Sequence, residues 1–100
     1  MTDEEIVRCA KALAHPARMS IIQMLACEKE YPGSQIVTWV GLAQSTVSEH
    51  LRILKEAGLV ASRPLGATRA YRLLPRELEH LAAAVEKIVE WADAYGPGSE

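Results

Sequence analysis

The feature that most constrains the fold of this chain is Gly41, which separates two short segments with helical spacing of apolar residues. The segment from Ser34 to Val40 predicts a short helix with Ser34 as its cap, and the segment from about Gln44 to Ala57 predicts a longer one. Glycine suits the turn between them because it adopts positive φ without strain. Two short helices joined in this way are typical of a helix-turn-helix unit, whose second helix enters the major groove of DNA.

Two further helices are predicted before this unit. Thr2 and Glu5 have the spacing of a capping box, so the first helix should begin at Thr2. It should end near His15, because the residue before a proline disfavours helical geometry. Pro16 then opens a second helix, since its missing N–H falls where a helix has no internal acceptor.

A hairpin and a long helix are predicted after the unit. Gly58 is placed to end the longer helix, and two strands then run from Leu59 to Leu65 and from Thr68 to Leu74. Pro75 opens a last helix that extends to about Tyr95, with apolar residues at heptad spacing. We therefore predict a mainly α fold with a β-hairpin wing, a winged helix-turn-helix. Residues 1–95 would form one domain, and residues 96–100 a disordered tail.

Charge is distributed unevenly along the chain. The formal net charge is −2, but residues 42–76 hold six Lys and Arg against two Glu, while residues 77–100 are acidic. Phosphate binding responds to the local field, so the central segment favours nucleic acid as a partner although the total charge does not. With two cysteines and an acidic N-terminus unlike a signal peptide, we expect a cytoplasmic protein.

A polar stripe on the helix after Gly41 is the candidate DNA-binding surface, although it could be only a solvated helix face. Short polar residues near the start of that helix would lie at base edges and its basic residues at phosphates, while the basic wing would reach phosphates or a minor groove. The predicted DNA-binding residues are Gln44, Ser45, Thr46, Ser48, Glu49, His50, Arg52, Lys55, Arg63 and Arg69.

Two members of this set have alternative interpretations. Glu49 either accepts a hydrogen bond from a cytosine amino group or closes a capping box with Thr46. His50 adjoins the apolar side of the helix, so it either contacts DNA or is packed and hydrogen-bonded within the protein.

Three stretches of the sequence resemble the ArsR/SmtB family of small winged-helix repressors. They are Lys11-Ala-Leu-Ala-His-Pro-Ala-Arg18, then Gln44 through Val60, which is similar to the family's recognition helix, and Arg69-Ala-Tyr-Arg-Leu73, which is similar to its second wing strand. The resemblance implies a homodimer built from the first and last helices that binds an inverted-repeat operator and releases it when an effector binds. The expected interface residues are Ile6, Cys9, Leu13, Leu78, Leu81, Val85, Ile88 and Ala92.

The sequence departs from the metal-sensing members of that family. Their paired thiolates would fall near Pro32 and Ser34, and the last helix has His80 but no second histidine. We therefore expect no metal site and no cofactor. Cys9 and Cys27 are candidate thiol sensors, although free cysteines usually behave as small apolar residues. The sequence does not identify the effector.

The function predicted from these observations is sequence-specific DNA binding by a homodimeric repressor. The alternative is a dimeric winged-helix module that binds protein instead of DNA. We do not expect an enzyme, because the sequence has no Gly-rich phosphate loop, no nucleophile motif and no evident pair of catalytic carboxylates.

Overall fold

The computed structural model describes residues 2–96 and shows the predicted winged helix-turn-helix. Within this range the elements are α1 (Asp3–Leu13), α2 (Pro16–Leu25), β1 (Tyr31–Pro32), α3 (Gly33–Val40), α4 (Gln44–Glu56), β2 (Val60–Leu65), β3 (Thr68–Leu73) and α5 (Pro75–Tyr95). Apart from Gly96, the predicted tail lies outside the described residues. No described helix is both long enough and apolar enough to cross a bilayer.

The first two helices begin as predicted. The Thr2 hydroxyl accepts a hydrogen bond from the Glu5 backbone N–H at 3.2 Å, and the Glu5 carboxylate accepts from the Thr2 hydroxyl and backbone N–H, so the capping box is confirmed. At α2, Pro16 occupies the first turn, and His15 Nδ1 accepts from the Ala17 backbone N–H at 3.1 Å. His15 is therefore the N-cap residue of α2, a role that the sequence did not reveal.

The turn between α3 and α4 has the predicted geometry, but the start of α3 differs. Gly41 has φ of 75° and ends α3 in the left-handed region, which confirms the turn. Ser34 does not cap α3: the helix begins one residue earlier, after Pro32, and has no side-chain cap. Ser34 instead lies inside the helix, where its carbonyl oxygen accepts from the Thr38 hydroxyl at 3.1 Å.

The wing is part of a three-stranded sheet of order β1-β3-β2. Strands β2 and β3 form the predicted antiparallel hairpin, with register from Val60 opposite Leu73 to Leu65 opposite Thr68. The short strand β1 was not predicted, because Tyr-Pro-Gly has the composition of a loop. Its proline is tolerated because β1 lies at the sheet edge. Since α3 follows β1 directly, this pairing fixes the wing beside the start of α3.

Helix α4 buries most of its apolar side in the core, and Ile53 is partly buried against it. Val47 and Leu54 have no exposed surface, and Leu51 is 3% exposed. They pack with residues of α1, α2, α3 and the sheet; the other buried members of this cluster are Cys9, Ala12, Ile21, Ile22, Met24, Leu25, Ile36, Leu59 and Val60. Because one side of α4 is held in this way, the opposite side faces solvent with a defined orientation.

Helix α5 contrasts with α4, because none of its residues is buried. Leu78 and Leu81 pack partly against the core, but the C-terminal half of the helix extends beyond it. The described molecule is 58 Å long with a radius of gyration of 16.2 Å, whereas a compact chain of this length would have about 13 Å. The exposed apolar residues of this half are Val85, Ile88, Val89, Trp91 and Tyr95.

Candidate nucleic-acid interface

The solvent side of α4 displays most of the predicted DNA-binding residues. Their exposure follows from the burial of Val47, Leu51 and Leu54, which fixes the rotation of the helix about its axis. The exposed residues of the predicted set on this helix are Gln44, Ser45, Thr46, Ser48, Glu49, Arg52 and Lys55.

A cleft of about 480 Å³ lies between the start of α3, the first turns of α4 and strand β3. It brings together Gln44, Ser48 and Arg69, which belong to the predicted set. It also contains Ser34, Thr38 and Thr68, which the sequence analysis did not include; the polar spacing of Ser34 and Thr38 on one helix was the available signal. A second groove of about 320 Å³, which includes Ser48, Arg52 and Lys55, lies along α4 beside Tyr71.

Arg52 is held by carboxylates on both sides within α4. Its Nε lies 2.6 Å from Glu49 Oε1 and its Nη2 2.7 Å from Glu49 Oε2, while its Nη1 lies 2.6 Å from Glu56 Oε1. The hydrogen bonds from Arg52 lower the pKa of the Glu49 carboxyl, which therefore stays ionised. Of the two alternatives for Glu49, the capping box with Thr46 is wrong, because the N-cap residue of α4 is Ala43 and the cap has no side-chain bond.

The two wing arginines of the predicted set have different partners. Arg63 on β2 donates to both carboxylate oxygens of Glu30, one of them from Nε at 3.0 Å, and this pairing raises the pKa of Arg63. Arg69 on β3 donates to the neutral Ser62 hydroxyl at 3.1 Å. Within residues 2–96, Arg69 has no carboxylate partner, so its charge is available at the mouth of the cleft.

His50 does not lie on the exposed side of α4, which corrects its inclusion among the DNA-binding residues. It is 9% exposed. Its Nδ1 accepts from Arg18 Nη1 at 3.3 Å, and its ring lies 4.5 Å from that of His15. Burial, followed by the charges of His15 and Arg18, lowers the pKa of His50. The position follows from helical spacing, because His50 lies three residues after Val47 and four before Leu54.

The predicted dimer surface divides into a buried part and an exposed part. Cys9 is 0% exposed and its thiol contacts the Glu77 carbonyl oxygen at 3.8 Å, so it belongs to the protomer's own core and cannot face a second chain. Leu13, Leu78 and Leu81 are half-buried against that core, and Ile6 has intermediate exposure. Val85, Ile88 and Ala92 are exposed. Val7, Val89, Trp91 and Tyr95, which are not in the predicted interface set, are also exposed.

The two cysteines have different surroundings and neither is in a disulfide. Burial raises the pKa of the Cys9 thiol, which disfavours the reactive thiolate. The Cys27 thiol is exposed and contacts the Gln23 carbonyl oxygen at 3.4 Å. Within residues 2–96, no three His, Cys, Asp or Glu side chains are grouped to hold a metal ion.

The sequence matches one family profile and several curated regulators. Residues 15–62 match the family described as "Bacterial regulatory protein, arsR family". The HTH-type transcriptional regulator CmtR of Mycobacterium tuberculosis is 36% identical over 90% of this chain and 73% of its own length. The biofilm growth-associated repressor of Xylella fastidiosa is 30% identical over 84% of this chain and 73% of its own length.

The fold also matches solved structures. One is the homodimeric winged helix-turn-helix DNA-binding domain of a possible ArsR-family regulator from Mycobacterium bovis, determined by NMR. It is 30% identical, with a TM-score of 0.70 over 90% of this chain and 88% of that chain. The match includes at least part of α5, since the aligned share of this chain exceeds the residues before that helix.

Proposed function

The chain belongs to the ArsR family of bacterial regulatory proteins and is a DNA-binding transcriptional regulator, and from this premise we propose that it is a homodimeric repressor of an inverted-repeat operator. The observation that carries this proposal is the contrast between two surfaces. Helix α4 presents a wholly polar outer side beside the cleft that contains Arg69, whereas α5 presents an unpartnered apolar side.

We assign DNA contact to the outer side of α4 and to the adjoining cleft. Gln44, Ser45 and Ser48 lie in the first turns of α4, which is where a recognition helix contacts base edges. Arg69 and Lys55 are the cations of this surface without a carboxylate partner among the described residues, so they are the best placed to bind phosphates. Arg52 and Arg63 are each paired with a carboxylate, so to bind a phosphate they must break that ion pair or bind both groups at once.

We assign dimerisation to the exposed half of α5 together with α1. Val85 and Ile88 are at least half exposed in the single chain, and burial of each would contribute roughly 1.5–3 kcal/mol. Val7 on α1 is also half exposed and belongs to the same surface in this proposal. A two-fold dimer of this kind presents two α4 helices to successive major grooves, which matches the symmetry of an inverted repeat.

We assign repression rather than activation because one of the relatives is itself named a repressor. Release of the operator by an effector is part of the proposal, and the effector is unidentified. Cys27 is the thiol that a reagent could reach, because Cys9 is buried. As a regulator of transcription, the protein would act in the cytoplasm, where bacterial DNA is.

The proposal is tested by fluorescence anisotropy with labelled duplexes from the promoter region of the protein's own gene, followed by footprinting. Specific binding that weakens by orders of magnitude between about 50 and 200 mM salt, with protection of two symmetric half-sites, is the expected result. A dimer that binds no duplex at the lower salt concentration would instead support a protein-binding module. Any release by oxidants or Zn²⁺ should disappear in Cys27→Ser if it acts through that thiol.

A further inference from the structure

Glu49 is the one acidic residue in the first two turns of α4, on a surface that is proposed to approach phosphates. A carboxylate there would ordinarily oppose DNA binding, because it is repelled by the backbone. In this structure its side chain is half exposed and paired with Arg52, whose Nε and Nη2 bind its two oxygens as a fork. The charges of Glu49 and Arg52 therefore offset each other, and Glu56, which also binds Arg52 from the last turn of α4, adds one negative charge farther from the start of the helix.

We propose that Glu49 determines operator specificity by accepting a hydrogen bond from the exocyclic amino group of a cytosine, and that Arg52 is a positioning residue that holds and neutralises its carboxylate. The proposal rests on the proposed function, since it names the base that the recognition helix contacts. It assigns Arg52 a role in positioning, in place of the phosphate contact expected from the sequence.

The geometry of the carboxylate leaves it able to make this contact. An ionised carboxylate has about four acceptor positions, and the fork from Arg52 occupies only part of them. The Glu49 side chain is longer than those of Ser45 and Ser48, which are also exposed on this helix. Arg52 binds Glu56 through its remaining Nη1, so this second ion pair does not compete with the fork to Glu49.

The chemistry of the major groove selects the base. Only cytosine and adenine present an amino donor there, and adenine places the N7 acceptor beside it, which repels the second carboxylate oxygen. Thymine presents the O4 acceptor and a methyl group, so it repels the carboxylate at the position where cytosine attracts it. A C·G to T·A exchange in the half-site is therefore the substitution that Glu49 should reject most clearly.

The test is selection of binding sites from random duplexes for the full chain and for Glu49→Ala, followed by affinity measurements on matched sites. For the unsubstituted protein we expect one cytosine position in each half-site at which exchange to T·A weakens binding roughly ten- to hundredfold. In Glu49→Ala this discrimination should fall to about twofold or less at that position alone. The other positions of the half-site should keep their preferences.

Two further variants distinguish contact with the base by Glu49 from positioning of Glu49 by Arg52. Glu56→Gln removes the other carboxylate that pairs with Arg52, lies in the last turn of α4, and should keep the cytosine preference. Arg52→Ala should reduce that preference without creating a new one. The proposal is overturned if Glu49→Ala selects the same site as the unsubstituted protein, or if Arg52→Ala loses a guanine preference that Glu49→Ala retains. Failure of the unsubstituted protein to select any site would instead overturn the proposed function itself.

Discussion

Helices α4 and α5 are both amphipathic, but they bury their apolar sides in different ways. Val47, Leu51 and Leu54 of α4 are buried within the protomer, so the packing of this helix needs no second chain. Helix α5 has a longer apolar stripe, and Val85 and Ile88 on it remain 50% and 60% exposed. An apolar stripe at helical spacing thus indicates that one side of a helix will be buried. The structure shows whether it is buried within the same chain or left exposed for a partner.

The sharpest way to break this contrast is to place charge on the exposed stripe of α5. Val85→Glu/Ile88→Glu should abolish dimerisation and operator binding, because two carboxylates would have to be buried against a second chain. Sedimentation and circular dichroism would measure mass and helical content. The matched control is Ala83→Glu/Lys87→Glu, which adds acids on the opposite side of α5 and should leave the dimer intact. A double variant of the stripe that remained a DNA-binding dimer would contradict the assignment.

A second prediction compares truncations of the two apolar sides. Leu54→Ala should lower the free energy of unfolding by about 2–5 kcal/mol, because it removes a fully buried side chain and leaves a cavity. The dissociation constant of the dimer should change little. Val85→Ala should instead raise the dissociation constant of the dimer and change the stability of the protomer core little. Denaturant unfolding together with sedimentation at several protein concentrations would distinguish the two effects, and equal changes in dimer affinity would show that α4 and α5 are not separate in function.

The wing offers a comparison between a free and a paired arginine. Arg69→Ala should lower the dependence of log affinity on log salt concentration by about one per protomer, since this unpaired cation is proposed to displace one phosphate counterion. Arg63→Ala should lower it less, because Glu30 already compensates the Arg63 charge. Anisotropy titrations over a range of salt concentrations measure both slopes. An unchanged slope in Arg69→Ala would remove this residue from the DNA surface.

The smallest expected effect is a pH dependence that originates in His50. Its pKa is lowered from 6.5 in the folded chain by burial and by the charges of His15 and Arg18; the carboxylate of Glu49 opposes this shift. As pH falls through 6.5, the unfolded chain takes up a proton at this histidine that the folded chain resists, so stability should fall. His50→Asn should lose less unfolding free energy than the unsubstituted protein between about pH 7.5 and about pH 5.5. Equal losses would show that His50 is not desolvated.

Most of the fold follows from local signals in the sequence. Gly41 and Gly58 adopt the positive φ expected of helix ends, and the capping box of Thr2 and Glu5 forms as predicted. Strand β1 was missed because it exists only by pairing with Tyr71 and Ala70, which lie about forty residues away in sequence. Its two residues carry no strand pattern of their own.

The candidate site was less predictable than the fold, because side-chain partners depend on tertiary packing and on local competition. Cys9 fits the apolar stripe of α1 as an interface residue would, but the docking of α5 places it in the core. Arg63 has the composition of a phosphate contact, yet Glu30 on a distant loop pairs with it. The Glu49–Arg52 pair has ordinary i, i+3 spacing, which would have been a usable signal in the sequence.

The central claim is that dimerisation through α5 sets the spacing of two α4 helices on DNA. The most direct test measures affinity for the footprinted operator, for one half-site, and for operators with about 5 or about 10 bp inserted between the half-sites. Insertion of half a helical turn should reduce affinity to that of the single half-site, because the half-sites then lie on opposite faces of the duplex. Equal affinity for the intact operator, the half-turn insertion and the isolated half-site would contradict the account.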